Sequence, residues 1–96
     1  MPLIALGMNY KTASVEVREK LAVKGDSWLA TSAKMMHSAR VSGIVWISTC
    51  NRAEIYVETM SWRGLLVWLS RHLQLDINTL KRYAYVYFDQ AAARHL

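Results

Sequence analysis

The stretch Gly43-Ile44-Val45-Trp46-Ile47-Ser48-Thr49-Cys50-Asn51-Arg52-Ala53-Glu54-Ile55-Tyr56-Val57-Glu58 decides the fold. Ile44 to Ile47 is a short apolar run rich in β-branched residues, the pattern of a buried strand. Beyond Arg52, Ala53, Ile55 and Val57 alternate with Glu54, Tyr56 and Glu58, as in a strand with one face in the core. A buried strand thus leads through small polar residues into a half-buried one.

Working outward, Leu3 to Asn9 alternates as a further strand, and Gly7 inside it marks a close backbone approach or a bulge. Ser14 is placed to cap a helix with Glu16 in its first turn, and Glu16 and Lys20 are spaced to pair. Gly25 ends that helix, and Asp26 or Ser27 caps the next, in which Trp28, Leu29, Ser32, Ala33 and Met36 define a core face. Ser61 caps a helix with the apolar face Leu65, Leu66, Trp68, Leu69 and Leu73, and Asp76 caps a shorter one through Leu80. Ala84 to Phe88 is strand-like, with Tyr85 and Tyr87 on one side and Val86 and Phe88 on the other. Gln90 to Leu96 reads as the first turns of another helix. The order β-α-α-β-β-α-α-β-α predicts an α/β (α+β) domain: a mostly antiparallel four-stranded sheet with helices packed on one face. No linker or repeat divides residues 1–96, so one domain is expected, and a chain that stops in mid-helix is expected to be truncated.

Ninety-six residues bury a real but modest core. No run of about 18 apolar residues is present, so no membrane span is expected. A single cysteine forbids an internal disulfide and cannot by itself build a cysteine-rich zinc site. A soluble protein of the cytoplasm, or of an equivalent reducing compartment such as a plastid, is the expectation. The net charge of +5 favours an anionic partner such as nucleic acid.

The chemistry concentrates in Ser48 to Glu54. In an extended chain Ser48, Cys50, Arg52 and Glu54 share one side unless a turn at Asn51 resets the parity. A guanidinium beside the thiol favours the thiolate, which is the nucleophile. The structural alternative makes Cys50 a small core hydrophobe and Arg52 with Glu54 a surface ion pair. His37 and His72 read as exposed or boundary residues.

Ser48-Thr49-Cys50-Asn51-Arg52-Ala53-Glu54-Ile55-Tyr56 resembles the signature around the nucleophilic cysteine of glutamyl-tRNA reductases. Leu6-Gly7-Met8-Asn9-Tyr10-Lys11-Thr12-Ala13-Ser14, followed by Arg18-Glu19-Lys20, is similar to the amino-terminal motif of the same family. Tyr10 stands where that family usually has histidine, Ser14 where it has proline, and Ala53 where threonine is common.

The resemblance implies an amino-terminal catalytic, glutamate-recognising domain of an NADPH-dependent oxidoreductase. Its reaction converts glutamyl-tRNA(Glu) to glutamate-1-semialdehyde through a cysteine thioester, the first step of tetrapyrrole (porphyrin) biosynthesis by the five-carbon route. By match to the motif, Cys50 is the nucleophile, and Thr49, Asn51 and Arg52 line the glutamate pocket. Arg52 is suited to clamp a substrate carboxylate, with Glu54 either holding Arg52 in place, the favoured role, or receiving the substrate amino group. Ala93-Arg94-His95-Leu96 resembles the region of the family's histidine implicated in activity. His95 is therefore a catalytic candidate, expected to be poorly placed so near a chain end.

No Gly-x-Gly-x-x-Gly loop occurs in the sequence, so the NADPH-binding and dimerisation domains are expected elsewhere, with homodimerisation through them. The resemblance also implies the downstream aminotransferase or a regulatory protein as further partners; no metal is predicted, and no spacing argues for a haem site. Two non-catalytic readings compete. One is an RNA-binding module, to which Tyr83, Tyr85 and Tyr87 would contribute stacking surfaces. The other is a regulator-docking surface built on Trp46, Trp62 and Trp68.

Overall fold

The computed structural model describes residues 2–21, 27–49 and 51–96. Nine elements follow one another: β1 (Leu3–Asn9), α1 (Val15–Leu21), α2 (Ser27–Ser38), β2 (Val41–Ser48), β3 (Arg52–Thr59), α3 (Trp62–Leu73), α4 (Ile77–Tyr83), β4 (Tyr85–Phe88) and α5 (Gln90–His95). The strands form one sheet in the order β2-β3-β1-β4, and each neighbouring pair is antiparallel.

Side-chain alternation assigns the two sheet faces. Ile4, Leu6 and Met8 of β1 and Ala53, Ile55 and Val57 of β3 enter one large core with Leu21, Met35, Leu65, Leu69, Leu73 and Leu80 from α1 to α4. The intervening Ala5 and Tyr56 point the other way, into a smaller cluster with Ala92 of α5. Four helices therefore cover one face and α5 covers part of the other, which departs from the expected one-sided packing. The physical reason is Asp89, whose backbone N–H donates to the Leu3 carbonyl at 2.7 Å while its carboxylate accepts from the Leu3 N–H at 3.1 Å. This closes the β4–β1 ladder, and a positive φ of 51° at Asp89 turns the chain there.

The caps behave as their side chains dictate. Ser61 Oγ accepts from the Gly64 N–H at 2.9 Å, and Asp76 accepts from the Thr79 N–H at 3.0 Å. The Val17 N–H reaches Ser14 Oγ at 3.4 Å. Gln74, in the left-handed region with φ 57°, ends α3. Among the described residues no Glu16–Lys20 ion pair forms.

Helix α2 differs from expectation in its buried face. Met35 and Ala39 are buried and Ser32 accepts from Trp46 Nε1 at 2.8 Å, whereas Met36 is 46% exposed. Adjacent methionines give the apolar period two phases, and contact with β2 selects the one through Ser32 and Met35. Gly25 and Asp26 lie outside the described residues, as do the side chains of Trp28 and Leu29. No described helix is long and apolar enough to cross a membrane.

Candidate functional site

The two sequence motifs lie side by side as paired strands. Gly7 faces Glu54, Met8 faces Ala53 and Asn9 faces Arg52 across the β1–β3 ladder. At its end the Tyr10 N–H donates to the Asn51 carbonyl at 3.1 Å. The Asn9 side chain accepts from the N–H groups of Lys11 and Thr12, turning the chain away from the sheet. Tyr10 is left 64% exposed.

A tight turn joins β2 to β3. The Thr49 N–H donates to the Arg52 carbonyl at 2.8 Å, and Thr49 Oγ1 accepts from the N–H groups of Asn51 and Arg52 at 3.2 and 3.1 Å. Thr49 is thus a structural hydroxyl as well as an exposed one. Because Ser48 pairs with Ala53 and Ile47 with Glu54, Ser48 shares the helix-covered face with Ala53. It does not share the side of Arg52 and Glu54. The turn resets the parity, as one-to-one antiparallel pairing requires. Cys50 lies outside the described residues.

On the α5 side of the sheet, Glu54 is the one buried charged group among the described residues, at 1% exposure. Its Oε1 accepts from the Tyr56 hydroxyl at 3.1 Å and faces Arg52 Nη1 at 3.6 Å. Its Oε2 accepts from the Tyr85 hydroxyl and lies 2.5 Å from His95 Nε2. A buried carboxylate survives only with such partners. Burial is the largest single influence and pushes its pKa up, but the hydrogen bonds from Tyr85, His95 and Tyr56, with the charge of His95, bring it below the usual carboxylate value. The converse holds for the donors: burial, then the Glu54 carboxylate, pushes Tyr56 up to about 12 and Tyr85 up likewise.

Arg52 and Glu54 therefore pair as expected, but through a buried carboxylate rather than on the surface. Arg52 keeps 38% of its side chain exposed. His95 ends α5 and is 29% exposed, and its position relative to Cys50 lies outside the described residues. Besides Glu54 it packs against Tyr87 at 4.6 Å between ring centroids and meets Tyr85 edge-on at 5.5 Å. Burial of Ala92, one turn earlier, anchors the helix that carries it.

Sequence reasoning missed Tyr85 and Tyr87 as parts of this site, although their shared side of β4 was legible. The remaining aromatic and histidine candidates sit elsewhere. Trp46, Trp62, Trp68 and Tyr83 pack partly buried against the main core. His72 stacks on Trp68 at 4.8 Å, and His37 is exposed. Among the described residues no three His, Cys, Asp or Glu side chains converge as a metal site would need.

Fold and site together define an α+β domain that gathers a buried carboxylate, a histidine and a part-exposed arginine on one sheet face. The family model for the glutamyl-tRNAGlu reductase N-terminal domain matches residues 6–96, and the chain belongs to that family. It is 37% identical to the glutamyl-tRNA reductase of Pseudomonas savastanoi pv. phaseolicola and 43% identical to that of Chromohalobacter salexigens, in each case over all of this chain and 23% of the relative. Among solved structures, the glutamyl-tRNA reductase from Methanopyrus kandleri superposes with a TM-score of 0.66 at 28% identity, over 97% of this chain and 20% of that one. The chain thus spans about a quarter of the length of the curated relatives it matches.

Proposed function

We propose that residues 1–96 form the glutamate-recognising, thioester-forming part of an enzyme that reduces glutamyl-tRNA(Glu) to glutamate-1-semialdehyde at the head of tetrapyrrole biosynthesis. The observation that carries this reading is the convergence of Arg52, Glu54 and His95 beside the Thr49–Arg52 turn, the segment of sequence that contains the only cysteine.

The thiolate of Cys50 attacks the carbonyl carbon of the glutamyl ester. The carbon–sulfur bond forms, the bond to the ribose oxygen breaks, and tRNA leaves. The proton that His95 took from the thiol to form the thiolate is delivered to that leaving oxygen. Arg52 clamps the substrate carboxylate in a two-pronged grip while Glu54 holds it from behind. Thr49 and Asn51 shape the pocket from the turn, and the net charge of +5 favours the polyanionic tRNA.

A thioester is a better hydride acceptor than an ester, which is the reason for the covalent step. The residues here do not fit NADPH. Among the described residues the sheet is antiparallel throughout, with no parallel strand followed by a glycine loop and helix to receive a pyrophosphate. The hydride site and the dimer contacts belong to the remaining length that the relatives possess, in a soluble protein of a reducing compartment.

The test is activity of the full-length protein with Cys50→Ser. Aldehyde formation disappears while glutamyl-tRNA binding persists; a variant that still makes aldehyde at the native rate removes Cys50 from the mechanism.

A further inference from the structure

Glu54 has more partners than holding Arg52 requires. Facing it are Arg52 and Tyr56 from β3, Tyr85 from β4 and His95 from α5. From β2 its paired neighbour is the apolar Ile47, and from β1 it is Gly7. Gly7 is what admits this crowd. A Cβ there would lie 2.7 Å from Glu54 Cγ and 2.7 Å from both Cζ and the hydroxyl of Tyr85. The Tyr85 ring therefore crosses bare backbone to bring its hydroxyl to the carboxylate.

The hydrogen-bond inventory then constrains the imidazole. An ionised carboxylate only accepts, and both tyrosine hydroxyls are positioned to donate to it. The ring nitrogen 2.5 Å from Oε2 is a partner only if it carries a hydrogen. The ring plane is held as well, with Tyr87 packed on it and Tyr85 against its edge.

We infer that Glu54 and Tyr85 are positioning residues that keep neutral His95 protonated on Nε2, leaving Nδ1 as the ring nitrogen able to take up a proton. The inference rests on the proposed role of His95 in forming the thioester. The bond made by one ring nitrogen decides the state of the other. A carboxylate behind the imidazole serves orientation in this way without itself taking up the proton. The Tyr85 hydroxyl acts one step further back, fixing the carboxylate.

The test uses the full-length protein and two readouts. In nitrogen-15 spectra of histidine-labelled protein, with the His95 signals assigned by their loss in His95→Gln, neutral His95 carries its proton on Nε2. In Glu54→Gln that preference is lost. In single-turnover acylation of Cys50 by glutamyl-tRNA, Tyr85→Phe keeps the ring but lowers the acylation rate constant about tenfold, the worth of one hydrogen bond to a charged group, with the half-saturating tRNA concentration unchanged. A proton on Nδ1 in the native protein overturns the inference, as does a Tyr85→Phe protein that acylates at the native rate. If the native enzyme is never acylated on Cys50, the proposed function falls. The tautomer spectrum still decides how the site is arranged, and it needs no variant of Tyr85 or Glu54 to fold.

Discussion

His95 Nε2 lies 2.5 Å from Glu54 Oε2 across 41 residues of sequence. That contact joins the last helix to the central strand and makes Glu54 the hub of β3, β4 and α5. Truncation of the hub leaves the Tyr56 and Tyr85 hydroxyls without an acceptor in a part-buried setting. Glu54→Ala is expected to cost about 2 to 4 kcal/mol, combining lost hydrogen bonds with orphaned donors. Urea denaturation of the domain, compared between the native and variant chains, measures this. A loss below about 0.5 kcal/mol, the range of an ordinary surface change, contradicts the network.

Acid should weaken the fold through the same group. The folded-state pKa of Glu54 lies below its ordinary value of 4.5, so in that range the unfolded chain binds the proton more readily. The stabilisation is present above 4.5 and is lost as pH falls through the lower folded value. Alkali acts through Tyr56, raised from 10.0 to about 12. Its contribution is complete below 10.0 and is lost as pH climbs toward about 12. Thermal midpoints against pH should show both limbs, with Glu54→Gln reducing the acid one and leaving the part due to Asp76. Tyrosinate absorbance should contain a late component that Tyr56→Phe reduces, with the remainder coming from Tyr85.

Gly7→Ala places a methyl group where Tyr85 and Glu54 already lie at 2.7 Å. Overpacking of this kind costs about 1 to 3 kcal/mol. The Tyr85 ring is the element able to give way, so the alanine variant should also advance the tyrosine titration. Unchanged stability with an unchanged titration argues against the close approach.

On the opposite face, Leu69 is fully buried among the helices, and Leu69→Ala should cost about 2 to 5 kcal/mol. Ser61→Ala removes only the cap on α3 and should cost about 1 kcal/mol. The ranking of the two by denaturant midpoint is the check, and a reversed order contradicts the assignment of the main core to that side.

Most of the element order was legible because each element carries a local signal, such as the caps Ser61 and Asp76. The burial of the two motif strands was reversed, however. β2, expected to be buried, is the part-exposed edge strand, and β3, expected to be half-buried, is buried along most of its length because it pairs on both sides. What was not legible depends on contacts between distant elements. Met35 and Met36 are equally apolar, and only packing against β2 chooses between them. Ser48 changed faces because pairing across the turn, not extension along the chain, sets its parity. His95 was expected to fray with the chain end, and nothing local reveals that Asp89 is tied to Leu3 and carries α5 across the sheet. Tyr85 and Tyr87 read as packing residues for the same reason: their partner, Glu54, is remote in sequence. The motif around Cys50 pointed to the right strand and to the Arg52–Glu54 pair, but the tyrosine frame needed coordinates.

The account depends most on a covalent glutamyl group at Cys50. The direct measurement is intact-mass and peptide analysis of the full-length protein after exposure to glutamyl-tRNA without NADPH. The account predicts one glutamyl adduct, confined to the peptide containing Cys50, released by hydroxylamine and absent from Cys50→Ser. An unmodified protein under conditions where aldehyde forms once NADPH is added, or an adduct on another side chain, contradicts it.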